Sequence, residues 1–515
     1  MSRPPAYEII YNWDGAPHGY SPVDQSMQAF LDKTYAPLIE TQVGALFWCI
    51  GEHAVRWPSE KMELLGDVHS RRYESAAAYT HSENIRRMLD RGEDPQKAVI
   101  ERGHQLGLHV YASQRMNDNH FDGAQLADLQ SLHHSELTEL RKEHPEWLLG
   151  PDTAEWFALS WNMAIPQVRE NRLQHLREIC QNYPWDGVEL DWQRHPFHFA
   201  DDQAYRLRYV LTDFMRAARE LTRDLAQQRG SPFYLAARVA GSIEGCHRIG
   251  YDIETWVEED LVDILIPAGA AGTDPAIEVS AFRALIGDSD IALYPGFDGG
   301  VPGPAIGPED ETTRHTLRTK ATAMQYHQQG ATGIYAFNWH ADRDSKRELL
   351  TQVGAIKTLC GQDKLYNITH RYRQTNGPWR GAYQHDRLKG GLPVALHATF
   401  KETGPHFSLY LADDFQQIPP AVVALRLRLQ EWVAGDEIRI LWDRHVLTNP
   451  EITYCHNGDL QPISDVSNAV WHSFELDAGK ATTGLHRIET ILITRHPQLA
   501  CDVILTDIEV VALYS

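Results

Sequence analysis

The chain has 515 residues, too many for one ordinary hydrophobic core, so two or three domains are expected. Its 43% hydrophobic and 23% charged content are those of a globular protein in water. A net charge of -22 repels nucleic-acid phosphates and anionic membrane faces, which argues against both as partners and leaves a neutral ligand.

No apolar run reaches the roughly 18 residues that span a bilayer. The first residues lack the charged-then-apolar pattern of a signal peptide, which gives a cytoplasmic expectation. Six cysteines (49, 180, 246, 360, 455 and 501) are scattered without CxxC pairing and read as free thiols. The 26 histidines form no HExxH or similar ligand spacing, so no metal or cofactor is expected.

In chain order, short apolar runs alternate with longer helical ones up to about residue 360. A strand over 7–13 ends at Asp14-Gly15, a helix spans 22–40, and a second strand covers 43–50. Residues 54–79 carry no clear periodicity and read as a long insertion. Ser82 looks like the cap of a helix that runs, with a break at Gly92 or Pro95, to Leu106. A third strand covers 108–113, a helix lies near 128–143, and another spans 165–182 with Pro166 in its first turn.

The fourth strand, 188–192, follows the turn Pro184, Asp186-Gly187. Later strands are expected at 233–239, 262–267, 291–295 and 333–339. Helices are expected over 201–228 and near 251–259, 277–285, 309–328 and 345–359. Eight strands alternating with helices predict a (β/α)8 TIM barrel over residues 1–362. Beyond 363 helical periodicity gives way to β-rich runs at 395–400, 406–411, 422–429, 437–442, 470–476, 487–494 and 502–512. These predict an all-β sandwich, jelly-roll-like, over 363–515.

Alternation along the fourth strand puts Glu189, Asp191 and Gln193 on one face and Val188, Leu190 and Trp192 on the other. Two carboxyls aimed into a barrel are costly unless paired, and chains keep that arrangement mostly where carboxyls do chemistry. The active site of such barrels lies at the C-terminal ends of the strands. This rule collects Asn12, Trp13 and Asp14 from strand one, and Trp48, Glu52 and His53 from strand two. Strand three adds Arg115, Asn117 and Asp118, and strand five adds Arg238. Asp298 follows strand seven, while Trp339, His340 and Asp342 end strand eight.

Carboxylates, aromatic rings, guanidiniums and amides suit a sugar, which has apolar ring faces and a rim of hydroxyls. Glycoside cleavage uses two carboxyls flanking the scissile bond. Strands four and seven face each other across the mouth, so Asp191 and Asp298 form the expected catalytic pair. Glu189 lies deeper and tunes Asp191. Trp13, Asp14, Trp48, Arg115, Asn117, Gln193, Arg238, Trp339 and His340 are the expected substrate contacts. Asp191→Asn is expected to abolish activity and leave the melting temperature nearly intact.

Three segments carry a likeness: His144-Pro145-Glu146-Trp147, then residues 161–169 with Pro166, Val168 and Arg169, then residues 183–196 around Asp186-Gly187 and Asp191. Together they resemble the glycosyl-hydrolase-like family 10 group. The resemblance implies a TIM barrel acting on a glycan, with Asp191 at the group's strand-four aspartate. Trp192, Gln193 and His195 depart from the group's pattern. The strand also looks like the Asp-x-Asp-x-Glu motif of family 18 chitinases. There Gln193 stands where the acid would be, and an amide cannot donate a proton as a carboxylic acid does.

The leading expectation is a glycoside hydrolase of an oligo- or polysaccharide. Two alternatives stay open: a non-catalytic carbohydrate-binding barrel, and a non-glycosidic barrel lyase or isomerase.

Overall fold

The structure is a computed structural model that describes residues 3–514 apart from 52–53, 122, 154, 270–272, 299–308, 370–390, 400 and 455–468. The calls on Glu52, His53 and Cys455 lie outside the described residues. Parallel strands β1 (Ile9–Trp13), β2 (Val43–Cys49), β3 (His109–Arg115), β4 (Gly187–Asp191), β5 (Tyr234–Ala240) and β6 (Ile264–Ala268) pair in sequence. β7 (Ala292–Leu293) continues on β6, while β8 (Gly296–Asp298) pairs with β9 (Ile334–Phe337), which returns to β1. β7 and β8 are one run interrupted at Tyr294-Pro295, where proline has no N–H for the ladder. The ring therefore closes through that run. The sequence expectation ended strand seven at Pro295; its second half is the part that carries Asp298.

Two hydrophobic sets follow from strand alternation. Ile10, Phe47, Tyr111, Tyr234, Ile264, Tyr294 and Tyr335 fill the barrel interior. Ile9, Leu46, Val110, Val188, Leu190 and Leu235 face outward to the helices. Outside pack α1 (Met27–Tyr35), α2 (Ala76–Asp90), α3 (Pro95–Gln105), α5 (Pro166–Asn182) and α6 (Arg208–Arg229), with the shorter α7 (Ile243–Ile249) and α8 (Ile253–Glu258) after β5 and α9 (Val279–Ile286) after β6. α2 starts at the cap Ser75, whose side chain accepts from Ala78 N, rather than at Ser82. The helix expected near 128–143 shrinks to α4 (Glu139–Glu143), preceded by turns. Among the described residues no helix is long and apolar enough to cross a membrane. Cys49, Cys180 and Cys246 are buried free thiols, whereas Cys501 is exposed.

After the helices α10 (Glu311–Gln328), α11 (Asp344–Leu349) and α12 (Ile356–Leu359) the chain enters two antiparallel sheets. One has β10 (Lys364–Asn367), β19 (Val503–Leu513), β13 (Val422–Gln430), β17 (Val470–Glu475) and β16 (Glu451–Tyr454) in that order, with β11 (Val394–Leu396) on β19. The other has β12 (His406–Leu411), β18 (Gly484–Thr494), β14 (Glu437–Trp442) and β15 (His445–Val446). The protein is thus a TIM barrel followed by an all-β sandwich. Buried charge joins them: Glu509 on β19 accepts from Arg314 of α10 at 2.5 and 3.2 Å, and from Arg318 at 3.3 Å. Glu309 takes Arg314 at 2.9 Å and Arg426 of β13 at 2.6 Å.

Candidate active site

Register builds the site. On adjoining strands Ser113, Glu189 and Ala236 form one row across the interior, and Arg115, Asp191 and Arg238 form the row above it. Asp191 therefore sits between two guanidiniums for a purely geometric reason: its ladder partners on both sides are arginines. Arg238 Nη1 donates to both its oxygens, at 3.1 and 3.2 Å, and the backbone N–H groups of Gln193 and Arg194 donate at 3.1 and 2.9 Å. Asp191 is fully buried at the upper end of its strand.

Glu189 lies one row deeper. It accepts from Asn12 Nδ2 at 2.9 Å, from Tyr335 Oη at 2.5 Å and from Ser113 Oγ. Burial first, and the Asp191 charge second, push its pKa up to about 7, against the pull of Ser113 and Tyr335. It is fully buried, and its two oxygens are held by the Asn12, Ser113 and Tyr335 side chains.

Asp14 follows β1 at a turn that only glycine can complete. Gly15 has φ +74°, and a Cβ there would fall 2.1 Å from the Cys49 carbonyl oxygen. The Asp14 side chain is 45% exposed and pairs with Arg115. Burial raises its pKa, but Arg115 and Arg194 overcome this and leave it lowered. Asp298, at the end of β8, shows the opposite balance. Burial raises its pKa, and the fields of Arg238 and Arg194 do not cancel that rise.

Arg115 also holds Asp118 at 3.0 Å, and Asp118 meets His195 Nδ1 at 2.8 Å and His120 Nε2 at 3.0 Å. Although burial opposes it, His120 and Arg115 hold the Asp118 carboxyl well below the ordinary range. Donor atoms of Asp118, His120 and His195 lie within 4.8 Å of one another, a spacing a metal could use. Arg115 and Arg194, at 3.0 and 3.5 Å from the same carboxylate, set two positive charges against a cation there. Asn119 N also donates to His195 Nδ1 at 2.9 Å. The group is an ion-pair cluster of Asp118 with Arg115, Arg194 and His120, and His195, whose pKa burial lowers to about 3, lies against it as a neutral ring.

Below the guanidiniums lies one ring. Arg238, Arg115 and Arg194 stand 4.0, 5.3 and 5.7 Å from the Phe337 centroid. Asn338, with φ +44°, then ends β9, and His340 at φ +56° and His195 at φ +54° are further left-handed residues at the mouth.

Of the expected residues, Asp14, Arg115, Asp191, Arg238 and Asp298 share the mouth, with Glu189 beneath. Several others need correction. Trp48 has the outward parity of Leu46 and packs edge-on against Phe30 of α1, so no sugar can reach it. Trp339 is turned outward by the break at Asn338. It is fully buried beside Phe297 and His315, and its Nε1 donates to Lys346 O at 2.9 Å. The ring of Trp13 is covered by His18, stacked at 3.9 Å, with His340 against it at 5.0 Å. Asn117 spends its amide on Trp161 and Phe197, pinning loops rather than facing a ligand.

Gln193 is fully buried, and its amide has no partner among the described residues. His340 is exposed at the rim. The expectation that Asp191→Asn leaves stability intact also fails on the Arg238 pair, because a neutral amide would leave a buried guanidinium without its counter-charge.

Sequence reasoning missed Ser113, Tyr335, Phe337, Arg194 and His120. Parity could have found the first three, since Ser113 alternates with Arg115 and Tyr335 with Phe337. The last two are loop residues with no local signal.

No family model matches this sequence, and no curated protein matches it. Among solved structures the chain is similar to an Anoxybacillus α-amylase at 10% identity over 95% of this chain and 99% of that one, with a TM-score of 0.40. It is also similar to the PgaB (BpsB) glycoside hydrolase domain of Bordetella bronchiseptica at 11% identity, covering 68% of this chain and 99% of that one, with a TM-score of 0.40. A further match is α-L-fucosidase isoenzyme 2 of Paenibacillus thiaminolyticus, at 13% identity over 68% of this chain, with a TM-score of 0.39. This chain spans 48% of that fucosidase.

Proposed function

We propose that the barrel mouth hydrolyses a glycosidic bond, with Asp191 as the carboxylate that attacks or stabilises the sugar cation and Asp298 as the proton donor. One observation carries this reading: two carboxyls at one mouth have environments that separate their roles. Asp191 is oriented by Arg238 and two backbone amides, as a group that must accept charge from an oxocarbenium ion is. Asp298 is partly open, and burial raises its pKa, the direction a proton-donating carboxyl needs. Asp14, the other half-open carboxyl, has a lowered pKa and is the poorer donor.

Arg115, Arg194 and Asp14 line the same mouth and offer hydrogen bonds to hydroxyls. Within this reading the three-segment resemblance to the glycosyl-hydrolase-like family 10 group supports Asp191 as the central carboxylate. Release of reducing ends from a broad oligosaccharide panel is the test. Turnover by the wild type and strongly reduced turnover by Asp298→Asn is expected; a panel that binds without cleavage removes the hydrolase.

A second reading, a sugar-binding barrel without turnover, is favoured by the full burial of Asp191 and the filling of both its oxygens. Binding with no reducing ends after long incubation is its signature.

A further inference from the structure

Beside the mouth lies a cavity that the two carboxyls do not use. The loop after β1 and the first turns of α2 enclose about 440 Å³, a volume in the range of small-molecule sites. Ala16, Pro17, Tyr20, Phe30, Ala77 and Ile85 give it apolar walls. No Asp, Glu, Lys or Arg is among the described lining residues. A charged ligand would lose its hydration there without gaining a counter-charge.

Two polar atoms in this lining have no partner among the described residues. Gln25 is 3% exposed; its Nε2 donates to Ser21 Oγ at 3.1 Å and its Oε1 has no partner. Turning the amide over only exchanges which end is left. His81 Nε2 is likewise buried without a partner, and burial, aided by Arg56, lowers the ring's pKa to about 3, so it is neutral. Buried polar atoms are normally paired, and a ligand carrying one hydroxyl or amide would pair these.

Cavity and mouth share a wall. Ala16 is two residues from Asp14, and its carbonyl accepts from Trp13 Nε1 at 2.6 Å. The Asp342 carboxylate lies 4.0 Å from the position a Cβ would take on Gly19. The charge of Asp14 is felt at His81.

We propose that this cavity binds an uncharged aryl or alkyl substituent of the glycoside held at the mouth, with Gln25 and His81 pairing one hydroxyl or amide on it. The carrier's identity rests on the hydrolase reading; the cavity's preference for an uncharged apolar group does not. Calorimetric titration with 4-phenylphenol, and with biphenyl-4-carboxylate as its anionic counterpart of similar size, tests it without turnover.

The wild type is expected to bind the phenol at least about tenfold more tightly than the carboxylate. Ala77→Trp, at an exposed position on the first turn of α2, fills the cavity and is expected to weaken the phenol by about tenfold or more. Gln25→Leu should weaken the phenol and leave biphenyl itself unaffected. No saturable binding to the wild type, equal binding of the anion, or an unchanged Ala77→Trp protein would overturn the proposal. Probe binding with no glycoside turned over would remove the hydrolase and keep the cavity; turnover with no probe binding would do the reverse.

Discussion

The buried arginine–carboxylate clusters at the seam between barrel and sandwich and at the barrel mouth differ in how their charge closes. At the seam, Glu509 and Glu309 meet Arg314, Arg318 and Arg426, so each carboxylate has at least two guanidiniums. At the mouth, Asp14, Asp118, Asp191, Asp298 and Glu189 share Arg115, Arg194 and Arg238. The seam has cation to spare, while the mouth is short of it. Burial raises the pKa values of Glu189 and Asp298, and the shared guanidiniums do not cancel that rise. A seam needs only to hold; a site that moves protons needs a carboxyl that has not already surrendered one.

The sharpest way to break this contrast is to remove the proton donor. Asp298→Asn is expected to lower kcat by about 10²- to 10⁴-fold on a natural glycoside. It should lower it far less on a dinitrophenyl glycoside, whose leaving group needs no proton. An equal loss on both substrates would take the acid role away from Asp298. At the seam the pattern reverses: Glu509→Ala takes a buried carboxylate away from both Arg314 and Arg318 and is expected to cost about 3–5 kcal/mol in chemical unfolding. Its kcat/KM should stay within about twofold of wild type in conditions where the protein is folded, because no group at the mouth is touched.

Glu189 gives a subtler reading through pH. Its folded pKa of about 7 lies above the ordinary carboxyl value of 4.5, so the folded state binds the extra proton. Its contribution is full below about 4.5 and is lost as pH rises toward about 7, which makes stability fall across that window. Comparing melting temperatures of wild type and Glu189→Gln from pH 4.5 to 7 should show that falling component removed in the variant. The smallest effect belongs to Trp48. Trp48→Phe is expected to cost about 1–2 kcal/mol from lost packing and to leave KM unchanged, whereas a sugar platform would raise KM.

The barrel was legible in the sequence because its signals are local and repeated: apolar runs, caps, and Gly or Pro at the turns. Asp191 and Glu189 were legible for the same reason, since a strand with two carboxyls on one face has few other uses. The aromatic assignments failed in one case because parity was not applied and in the other because it was overridden. Trp48 alternates outward with Leu46, and Trp339 lies past the left-handed Asn338, which reverses the face a continued strand would have given it.

Asp298 was legible as the residue at the end of strand seven, opposite strand four, but its raised pKa comes from burial that outweighs the opposing fields of arginines on other elements, which no local pattern encodes. The same holds for Arg194, whose partners Asp118 and Phe337 come from distant parts of the chain, and for the contact of His120 with His195, although His120 also pairs with Asp118 two residues before it. The seam network is the extreme case, joining residues near 314 to residue 509.

The most direct measurement is turnover by Asp191→Asn beside the wild type, on the best substrate of the panel. Both should be assayed well below the variant's lowered melting temperature and with the fold checked by circular dichroism. A fall in kcat of about 10³-fold or more with the fold retained is the predicted result. Turnover within a few-fold of wild type would show that the carboxylate between the two arginines does no chemistry.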